Sequence, residues 1–271
     1  MTCAESIPPA SSPVVPNMTA GVCVAIETSS RVGSVAVGLG DMLRAEKVFS
    51  GPMRHAAELM PTLSELVRAI GRRPADITEV YVSIGPGSFT GVRIAVMVAR
   101  SLTQALGCRL VAVPTTEVLA HNSPEDITGY VGVVLDAKRG QIFTACYQKV
   151  SAGDTPSEVP GTQPVAPPFI QVVAPTLGDP RTLLAPWPRP LSLLGEGIEY
   201  HREAIGDAGP GITLLPGITA VPRAAAVYAL GRWRSRQGLF TDRENLVPLY
   251  LRLPEAQELW EKRHAAAKPH Q

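Results

Sequence analysis

Residues 80–107 constrain the fold of this chain more than any other stretch. An apolar run at 81–84 predicts a strand, the glycine turn Gly85-Pro86-Gly87-Ser88-Phe89-Thr90-Gly91 follows, and a helical pattern continues to Leu106. Glycine at both ends of the turn permits backbone angles and close contacts that other residues do not. Ser88 can cap the helix, because its hydroxyl can accept a free N–H of the first turn. A glycine turn that leads into a helix N-terminus also suits an anion, so a phosphate site is the first alternative to weigh.

Three predicted strands precede the first predicted helix. Residues 22–26 form an apolar, β-branched run typical of a buried strand, and segments 34–39 and 42–49 predict two further strands of an antiparallel meander. Apolar residues at the helical period predict a helix over 55–70, and a strand at 109–113 follows the second helix. This order is that of the ribonuclease H-like unit, on which sugar kinases, actin and Hsp70 chaperones are built. The predicted fold class is therefore α/β, of the ribonuclease H-like or actin-like ATPase (ASKHA) type, with two related subdomains, mixed sheets and the order βββαβα(β) in the first.

A weaker second copy of this unit follows. The strand–turn–strand opening recurs at 130–135 and 141–149, on either side of Asp136-Ala137-Lys138-Arg139-Gly140, and a short strand at 191–194 ends at Gly195-Glu196-Gly197. Prolines are dense between 151 and 190, so a long loop is predicted there. The predicted domains are a disordered N-terminal extension at 1–20, a first ribonuclease H-like subdomain at 21–115, a second, degenerate subdomain at 116–254 with the proline-rich excursion 151–190, and a charged tail at 255–271.

Composition disfavours several classes of function. The formal net charge of the 271 residues is +1, which disfavours autonomous binding to nucleic acid. No run of about 18 apolar residues indicates a membrane span. The cysteines are scattered with no C-x-x-C pair, which favours reduced, buried thiols in a cytoplasmic protein over disulfides or a metal site. No H-x-x-x-H pattern suggests a metal centre, and His55, at a helix start, is interpreted as a cap or surface residue rather than a ligand.

The glycine turn itself departs from the known phosphate-binding fingerprints. Its spacing is G-x-G-x-x-x-G rather than G-x-G-x-x-G, it follows three antiparallel strands, and no acidic residue ends the next strand. A P-loop is excluded because no lysine follows the last glycine. The alternative is structural: the glycines shape a tight turn and allow close packing.

One acidic residue ends the first strand of each predicted unit. In nucleotide-splitting members of the superfamily, acids at the places of Glu27 and Asp136 hold Mg²⁺ through water and position the attacking group. Both can equally be turn residues, with Thr28 or Ser29 as capping neighbours. The candidate degenerate nucleotide or phosphate positions are Glu27, Thr28, Ser29, Asp136, Gly195 and Gly197.

The helix after the glycine turn is apolar on every side. Residues 94–99 cover all directions around the axis, and only Arg93, Arg100 and Gln104 form a narrow polar stripe. Such a helix must be covered nearly all round, either by its own sheet and the helix at 55–70 or by another chain. We favour a partner chain.

Several motifs together resemble one protein family. The strings Val24-Ala25-Ile26-Glu27-Thr28-Ser29, His55-Ala56-Ala57-Glu58-Leu59-Met60-Pro61 and Gly85-Pro86-Gly87-Ser88-Phe89-Thr90-Gly91-Val92-Arg93-Ile94 closely resemble the TsaB (YeaZ) family. Later landmarks of that family are similar to Leu135-Asp136-Ala137-Lys138-Arg139-Gly140-Gln141 and Pro248-Leu249-Tyr250-Leu251-Arg252. Glu27 stands where the family commonly has Asp, which keeps the charge and adds a methylene.

The resemblance implies an accessory protein of bacterial tRNA modification rather than an enzyme. Family members pair with a TsaD-like catalytic subunit and, together with a TsaE-like ATPase, install threonylcarbamoyl on the tRNA adenosine beside the anticodon. The implied protein is cytoplasmic and inactive alone, with no catalytic residue, no protease centre and no membrane contact. It binds no cofactor by itself, since ATP or ADP and metal belong to the partner subunits. It reaches tRNA only through the complex and can form a homodimer when the partner is absent.

In the family, the helices that match residues 55–70 and 88–106 form the interface with the catalytic subunit. The residues expected at this partner interface are His55, Leu59, Leu63, Ser88, Val92, Arg93, Val96 and Arg100. The alternative function is an ATP-binding kinase or ATPase of the actin-like superfamily, which would use Glu27, Asp136 and the glycines at 195–197. Direct tRNA contact is a further alternative, to be weighed against a solvated helix end, because one helix end is rich in arginine. The arginines concerned are Arg232, Arg234 and Arg236.

Overall fold

The structure, a computed structural model, describes residues 21–150 and 169–252, which form two α/β units around two five-stranded sheets. In chain order the first unit contains β1 (Val22–Glu27), β2 (Ser34–Leu39), β3 (Met42–Val48), α1 (His55–Ala69), β4 (Ile77–Ser83), α2 (Phe89–Leu106) and β5 (Arg109–Val113), and α3 (Thr115–Ala120) leads out of it. The second contains β6 (Tyr130–Asp136), β7 (Ile142–Lys149), β8 (Phe169–Gly178), α4 (Pro180–Leu184), β9 (Leu191–Leu194), α5 (Gly197–Gly206) and β10 (Ile212–Leu214), and α6 (Ala224–Arg236) follows.

The two sheets share one strand order. The first runs β3-β2-β1-β4-β5, with β1 antiparallel to β2 and parallel to β4. The second runs β8-β7-β6-β9-β10, with β6 antiparallel to β7 and parallel to β9. The helix before the fourth strand has 15 residues in the first unit and 5 in the second, which explains why the repeat is weak in the sequence. The predicted fold class, with two related subdomains and mixed sheets, is confirmed.

The predicted loop over 151–190 is wrong from residue 169 onward. Phe169–Gly178 is a strand that pairs antiparallel with β7, and Pro180–Leu184 is a short helix. β8 lies at the edge of its sheet, where Pro175 is tolerated because an edge strand has one side without ladder hydrogen bonds. The density of prolines therefore concealed an edge strand. Residues 151–168, like the predicted extension and charged tail, lie outside the described residues.

α6 packs on the first sheet rather than on the second. Its buried side chains, among them Val227 and Tyr228, form a core with Cys23, Ala25 and Tyr81 on one face of that sheet. α1 and α2 cover the opposite face. The predicted second subdomain, which extended to residue 254, therefore ends earlier, because the chain returns to the first unit at α6. Periodicity indicates the apolar side of a helix but not which sheet that side covers.

Two expectations from composition can be compared with the described residues. Cys23, Cys108 and Cys146 are free, buried thiols, as predicted, and burial raises the pKa of each. None of the helices within 21–150 or 169–252 has the length and apolar content needed to cross a bilayer.

We expect Gly231→Ala in α6 to destabilise the protein by about 1–3 kcal/mol, the usual cost of overpacking a core. A Cβ at this position would lie 2.3 Å from Cγ of Tyr81, which is buried in the first sheet. Gly206→Ala is the matched control, because a Cβ at this helical glycine meets nothing within 4 Å. Urea unfolding measures both free energies, and equal stability of the two variants would contradict this packing.

Candidate functional site

The glycine turn packs against the turn that follows β1. A Cβ on Gly91 would lie 1.9 Å from the carbonyl oxygen of Thr28, and one on Gly87 would lie 2.4 Å from that of Ser29. The Ser88 N–H donates to the same Ser29 oxygen at 2.6 Å, and the Thr28 hydroxyl donates to the Gly91 carbonyl at 2.7 Å. Glycine is required at both positions because the two backbones are in contact. This contact favours the structural interpretation of the turn over a phosphate cradle.

The helix that follows begins at a side-chain cap, as predicted. Ser88 Oγ accepts the Gly91 N–H at 3.3 Å, and α2 then continues for 18 residues to Leu106. Gly107 ends it in the left-handed region, with a φ of 65°. The first turn of α2 is therefore held both by its own cap and by the turn after β1.

His55 lies inside the first unit rather than on its surface. The residue is 2% exposed, its Nε2 lies 3.0 Å from the Ser30 carbonyl oxygen, and its ring packs on Phe49 with centroids 5.9 Å apart. Burial lowers the pKa of His55, which favours the neutral imidazole. The prediction of a cap or surface residue is wrong, because the ring reaches a carbonyl group of a distant turn and packs in the core.

Glu27 is the last residue of β1 and is completely buried. Its Oε1 accepts the Ser29 N–H at 2.5 Å, and its Oε2 has no hydrogen-bond partner among the described residues. Desolvation raises the pKa of the carboxyl group, since the hydrogen bond from Ser29 replaces only part of the water that the charged form loses. Thr28 and Ser29 are buried beside it. The carboxyl group is thus shielded from solvent.

Asp136, at the equivalent place in the second unit, is engaged by Lys138 and His201. Its Oδ1 accepts the Lys138 N–H at 3.0 Å and lies 3.1 Å from His201 Nε2, while its Oδ2 accepts from Lys138 Nζ at 2.5 Å. Desolvation opposes ionisation, but the hydrogen bonds from Lys138 outweigh it and lower the pKa of Asp136. Gly195 and Gly197 pack on β6, since a Cβ would lie 2.1 Å from a carbonyl oxygen and 2.8 Å from a backbone nitrogen of that strand, respectively. These two glycines therefore have a packing role.

A cleft of about 700 Å³ lies between the two units. Ser29 and the glycine turn line one side, Asp136 and Lys138 line the other, and residues 248–252 line it as well. The structure thus brings together two of the candidate nucleotide positions, Ser29 and Asp136, whereas the other four are not among the lining residues. Across the parts of the chain that the structure describes, no three His, Cys, Asp or Glu side chains come together as a metal site.

The outer face of α1 and α2, which we define by Met60, Phe89, Arg93 and Met97, is exposed. The three apolar residues are 45%, 50% and 61% exposed, respectively. Phe89, Arg93 and Met97 follow one another at intervals of four residues and so share one side of α2. The other side of α2 packs on its own sheet. The helix is therefore covered by its own unit except along this outer face.

Most of the residues predicted at a partner interface lie in the core of the first unit. Five of the eight are at most 3% exposed: His55, Leu59, Leu63, Val92 and Val96. Ser88 and Arg100 are half-buried, and Arg93 is exposed. The prediction is wrong for the five because the helical period locates the apolar side of a helix, and the helix's own sheet covers that side. The sequence signal for the outer face is instead a large apolar residue within the polar stripe of α2, as at Met97 between Arg93 and Arg100.

The arginines near the end of α6 have partners within the first unit and α3. Arg232 Nε lies 2.9 Å from Asp41 Oδ1, Arg234 Nη2 lies 2.6 Å from Glu117 Oε2, and Arg236 also pairs with Asp41. These ion pairs favour a structural role for the three arginines over direct contact with tRNA.

The two units share one strand order, and a cleft lies between them. This architecture is that of the actin-like ATPase class of the ribonuclease H-like fold. The structure of YeaZ from Pseudomonas aeruginosa shares this fold, with a TM-score of 0.70 and 23% identity, over 85% of this chain and 100% of that chain. A second structure from Pseudomonas aeruginosa, of an uncharacterized protein with similarity to peptidase YeaZ, gives a TM-score of 0.71 and 23% identity, over 86% of this chain and 100% of that one.

Sequence comparison narrows this class to one family. A family model for TsaD, the tRNA N6-adenosine threonylcarbamoyltransferase, matches residues 52–260. The tRNA threonylcarbamoyladenosine biosynthesis protein TsaB of Bacillus subtilis (strain 168) is 30% identical over 246 residues, which are 88% of this chain and 96% of that protein. TsaB of Escherichia coli (strain K12) is 28% identical over 131 residues, 48% of this chain and 56% of that protein. The chain belongs to the TsaB (YeaZ) family.

We expect Glu27→Gln to stabilise the protein increasingly as the pH rises. Because the pKa of Glu27 is raised in the folded state, the folded protein binds this proton more tightly than the unfolded chain does. Its free energy of unfolding therefore falls as the pH climbs above the ordinary carboxyl value of 4.5 towards the folded pKa. The uncharged amide removes this fall. Urea unfolding across the range from about pH 4 to about pH 8 measures the difference between the two proteins.

Glu65→Gln is the control for this experiment. Glu65 is an exposed carboxylate that pairs with Lys47 at the surface, where an ion pair contributes about 1 kcal/mol or less. A stability difference between Glu27→Gln and the wild type that stays constant with pH would contradict the burial of an ionisable carboxyl group at the end of β1.

Proposed function

We propose that this chain acts in the biosynthesis of tRNA threonylcarbamoyladenosine as an accessory subunit that binds a TsaD-like catalytic subunit. The outer face of α1 and α2 carries the proposal, because Met60, Phe89 and Met97 are 45–61% exposed on two helices that contact each other. Large apolar side chains that stay exposed on adjacent helices favour a protein partner. Methionine suits such a surface, since its flexible thioether adapts to a partner's shape.

The two acids at the strand ends support an accessory role over catalysis. An actin-like ATPase needs carboxylates at these places to hold Mg²⁺ through water and to orient the attacking group. Here Glu27 is buried with a raised pKa, and Asp136 is occupied by Lys138 and His201. Neither carboxyl group is presented to the cleft as a free ligand, which argues against the ATPase alternative.

In the proposed assembly, this chain works in the cytoplasm and binds no cofactor by itself. A TsaE-like ATPase and the tRNA join through the complex, and ATP or ADP and metal belong to the partner subunits. Two copies of this chain can pair through the same outer face when the catalytic subunit is absent. We assign the docking role to the first unit, formed by residues 21–115 together with α6, and not to the degenerate second unit.

We expect Met97→Asp to abolish the complex with the cognate TsaD-like protein while this chain stays folded. Met97 is 61% exposed, so the carboxylate is solvated in the free protein but loses water against a partner. Ile218→Asp is the matched control, because Ile218 is 87% exposed but belongs to a 3₁₀ turn before α6 and not to α1 or α2. Co-purification and size exclusion measure complex formation, and circular dichroism measures folding.

Val96→Asp is a second comparison for this test, because Val96 is the neighbour of Met97 in sequence but is only 3% exposed. We expect this substitution to unfold the chain rather than to act on the interface alone. A folded Met97→Asp variant that co-elutes with the TsaD-like protein as the wild type does would rule out the docking face.

Calorimetry with Mg-ATP on the isolated chain separates the accessory role from the ATPase alternative. We expect no binding of Mg-ATP in the micromolar range, because the Asp136 carboxylate is hydrogen-bonded to Lys138 and Glu27 is buried. Micromolar affinity accompanied by ATP turnover would support the ATPase instead.

A further inference from the structure

A cluster of two aromatic rings and one guanidinium group lies at the start of α2. The guanidinium carbon of Arg93 lies 3.8 Å from the centre of the Phe89 ring and 5.7 Å from the centre of the Tyr250 ring. The two rings are 5.5 Å apart, and Arg93 Nε donates to the Tyr250 hydroxyl at 2.6 Å. Phe89 is 50% exposed and Tyr250 is 44% exposed, so the cluster forms part of the surface. Stacking on Phe89 and the bond to Tyr250 together restrict the orientation of the guanidinium plane.

Tyr250 is held in place by the chain on either side of it. Leu246 is 1% exposed in the core of the first unit, and the Leu249 N–H donates to the Ile84 carbonyl at 2.7 Å. Two residues further on, Arg252 Nη2 donates to Gln141 Oε1 at 2.6 Å in the second unit. The phenol hydroxyl is therefore brought to Arg93 by an anchored segment.

Arg93 has no acidic partner within the part of the chain that the structure describes, and its two terminal nitrogens make no hydrogen bond there. This distinguishes it from Arg232 and Arg234, whose charges are matched by carboxylates. A guanidinium group whose Nε is occupied still offers two terminal N–H groups along one edge, which suits the two oxygens of a carboxylate. An exposed ion pair is weak unless its geometry is fixed in advance, as the aromatic rings fix it here.

We propose that Phe89, Arg93 and Tyr250 form a preorganised site for a carboxylate of the partner protein, with Tyr250 as a positioning residue. The site deepens the docking role proposed above and rests on it. Arg93 lies one helical turn from Met97, so the partner presents an Asp or Glu side chain next to an apolar one. Arginine and tyrosine at such places contribute strongly to binding when water is excluded around them.

A nucleic-acid phosphate is the other anion that an arginine could bind. The cluster favours a carboxylate because the Arg93 guanidinium lies against the rings of Phe89 and Tyr250, whereas a phosphate backbone is bound by rows of cations. Arginine beside aromatic rings, with an exposed methionine one helical turn away, is a composition typical of protein interfaces.

The test is the affinity of the full chain for its cognate TsaD-like protein, measured by calorimetry at low and at high salt. We expect Arg93→Ala to weaken binding about 10-fold or more and to reduce its salt dependence. Arg93→Lys is expected to recover only part of the affinity, because lysine keeps the charge but not the two-pronged geometry. Tyr250→Phe keeps the ring and removes the hydroxyl, and we expect a smaller loss of about 3-fold.

A double-mutant cycle distinguishes positioning from general support of the fold. If Tyr250 acts through Arg93, Tyr250→Phe has no further effect on affinity once Arg93→Ala is present. Val247→Ala is the control in the same segment, since Val247 is 60% exposed, and we expect unchanged affinity. Additive losses from Tyr250→Phe and Arg93→Ala would overturn the positioning role.

The remaining outcomes separate this inference from the proposed function. If Arg93→Ala binds as the wild type does while Met97→Asp prevents binding, the carboxylate site is wrong and the docking face stands. If neither substitution affects the complex, the docking face itself is wrong. If Arg93→Ala leaves affinity for the protein unchanged but weakens binding of the complex to tRNA, a phosphate replaces the carboxylate as the ligand.

Discussion

The contact between the Gly91 backbone and the Thr28 carbonyl group is the interaction on which the first unit depends. It joins the first turn of α2 to the carboxyl end of β1, the central strand of its sheet. His55, the first residue of α1, reaches the same turn through the Ser30 carbonyl. Both helices of the outer face therefore begin at one set of backbone contacts. Their relative position follows from this joint rather than from contacts between the helices alone.

The same backbone contact limits which ligands the end of β1 can bind. In a phosphate-binding turn, backbone N–H groups at a helix start point at the ligand. Here the Ser88 N–H is bonded to Ser29, and Glu27 is enclosed with one oxygen unpaired among the described residues. The fold keeps the architecture of an actin-like cleft but uses its glycine turn for packing. In our proposal, the partner protein binds to the exposed side of α1 and α2 and not in the cleft.

Segments distant in sequence complete this unit. α6 returns to cover the second face of the first sheet, and Leu246 enters the core on the side of α1 and α2. From there the chain places Tyr250 beside Arg93, 157 residues away. No local sequence pattern predicts such a contact, because an aromatic residue in an irregular segment shows no periodicity. Gly231 illustrates the same difficulty, since its role is visible only when Tyr81 is placed against it.

The sequence by itself determined the succession of strands and helices along the first unit, the two ends of α2 and the family, because these depend on local periodicity, on cap residues such as Ser88 and on contiguous motifs. It did not determine which side of α1 and α2 remains exposed. Leu63 and Val96 fit the apolar period equally well whether a sheet or a partner covers them, and the fold buries both in its own core. The tertiary structure alone decided this, together with the edge strand β8 and the return of α6. The physical reason is that burial depends on contacts between segments, whereas a sequence pattern specifies only what each segment needs to bury.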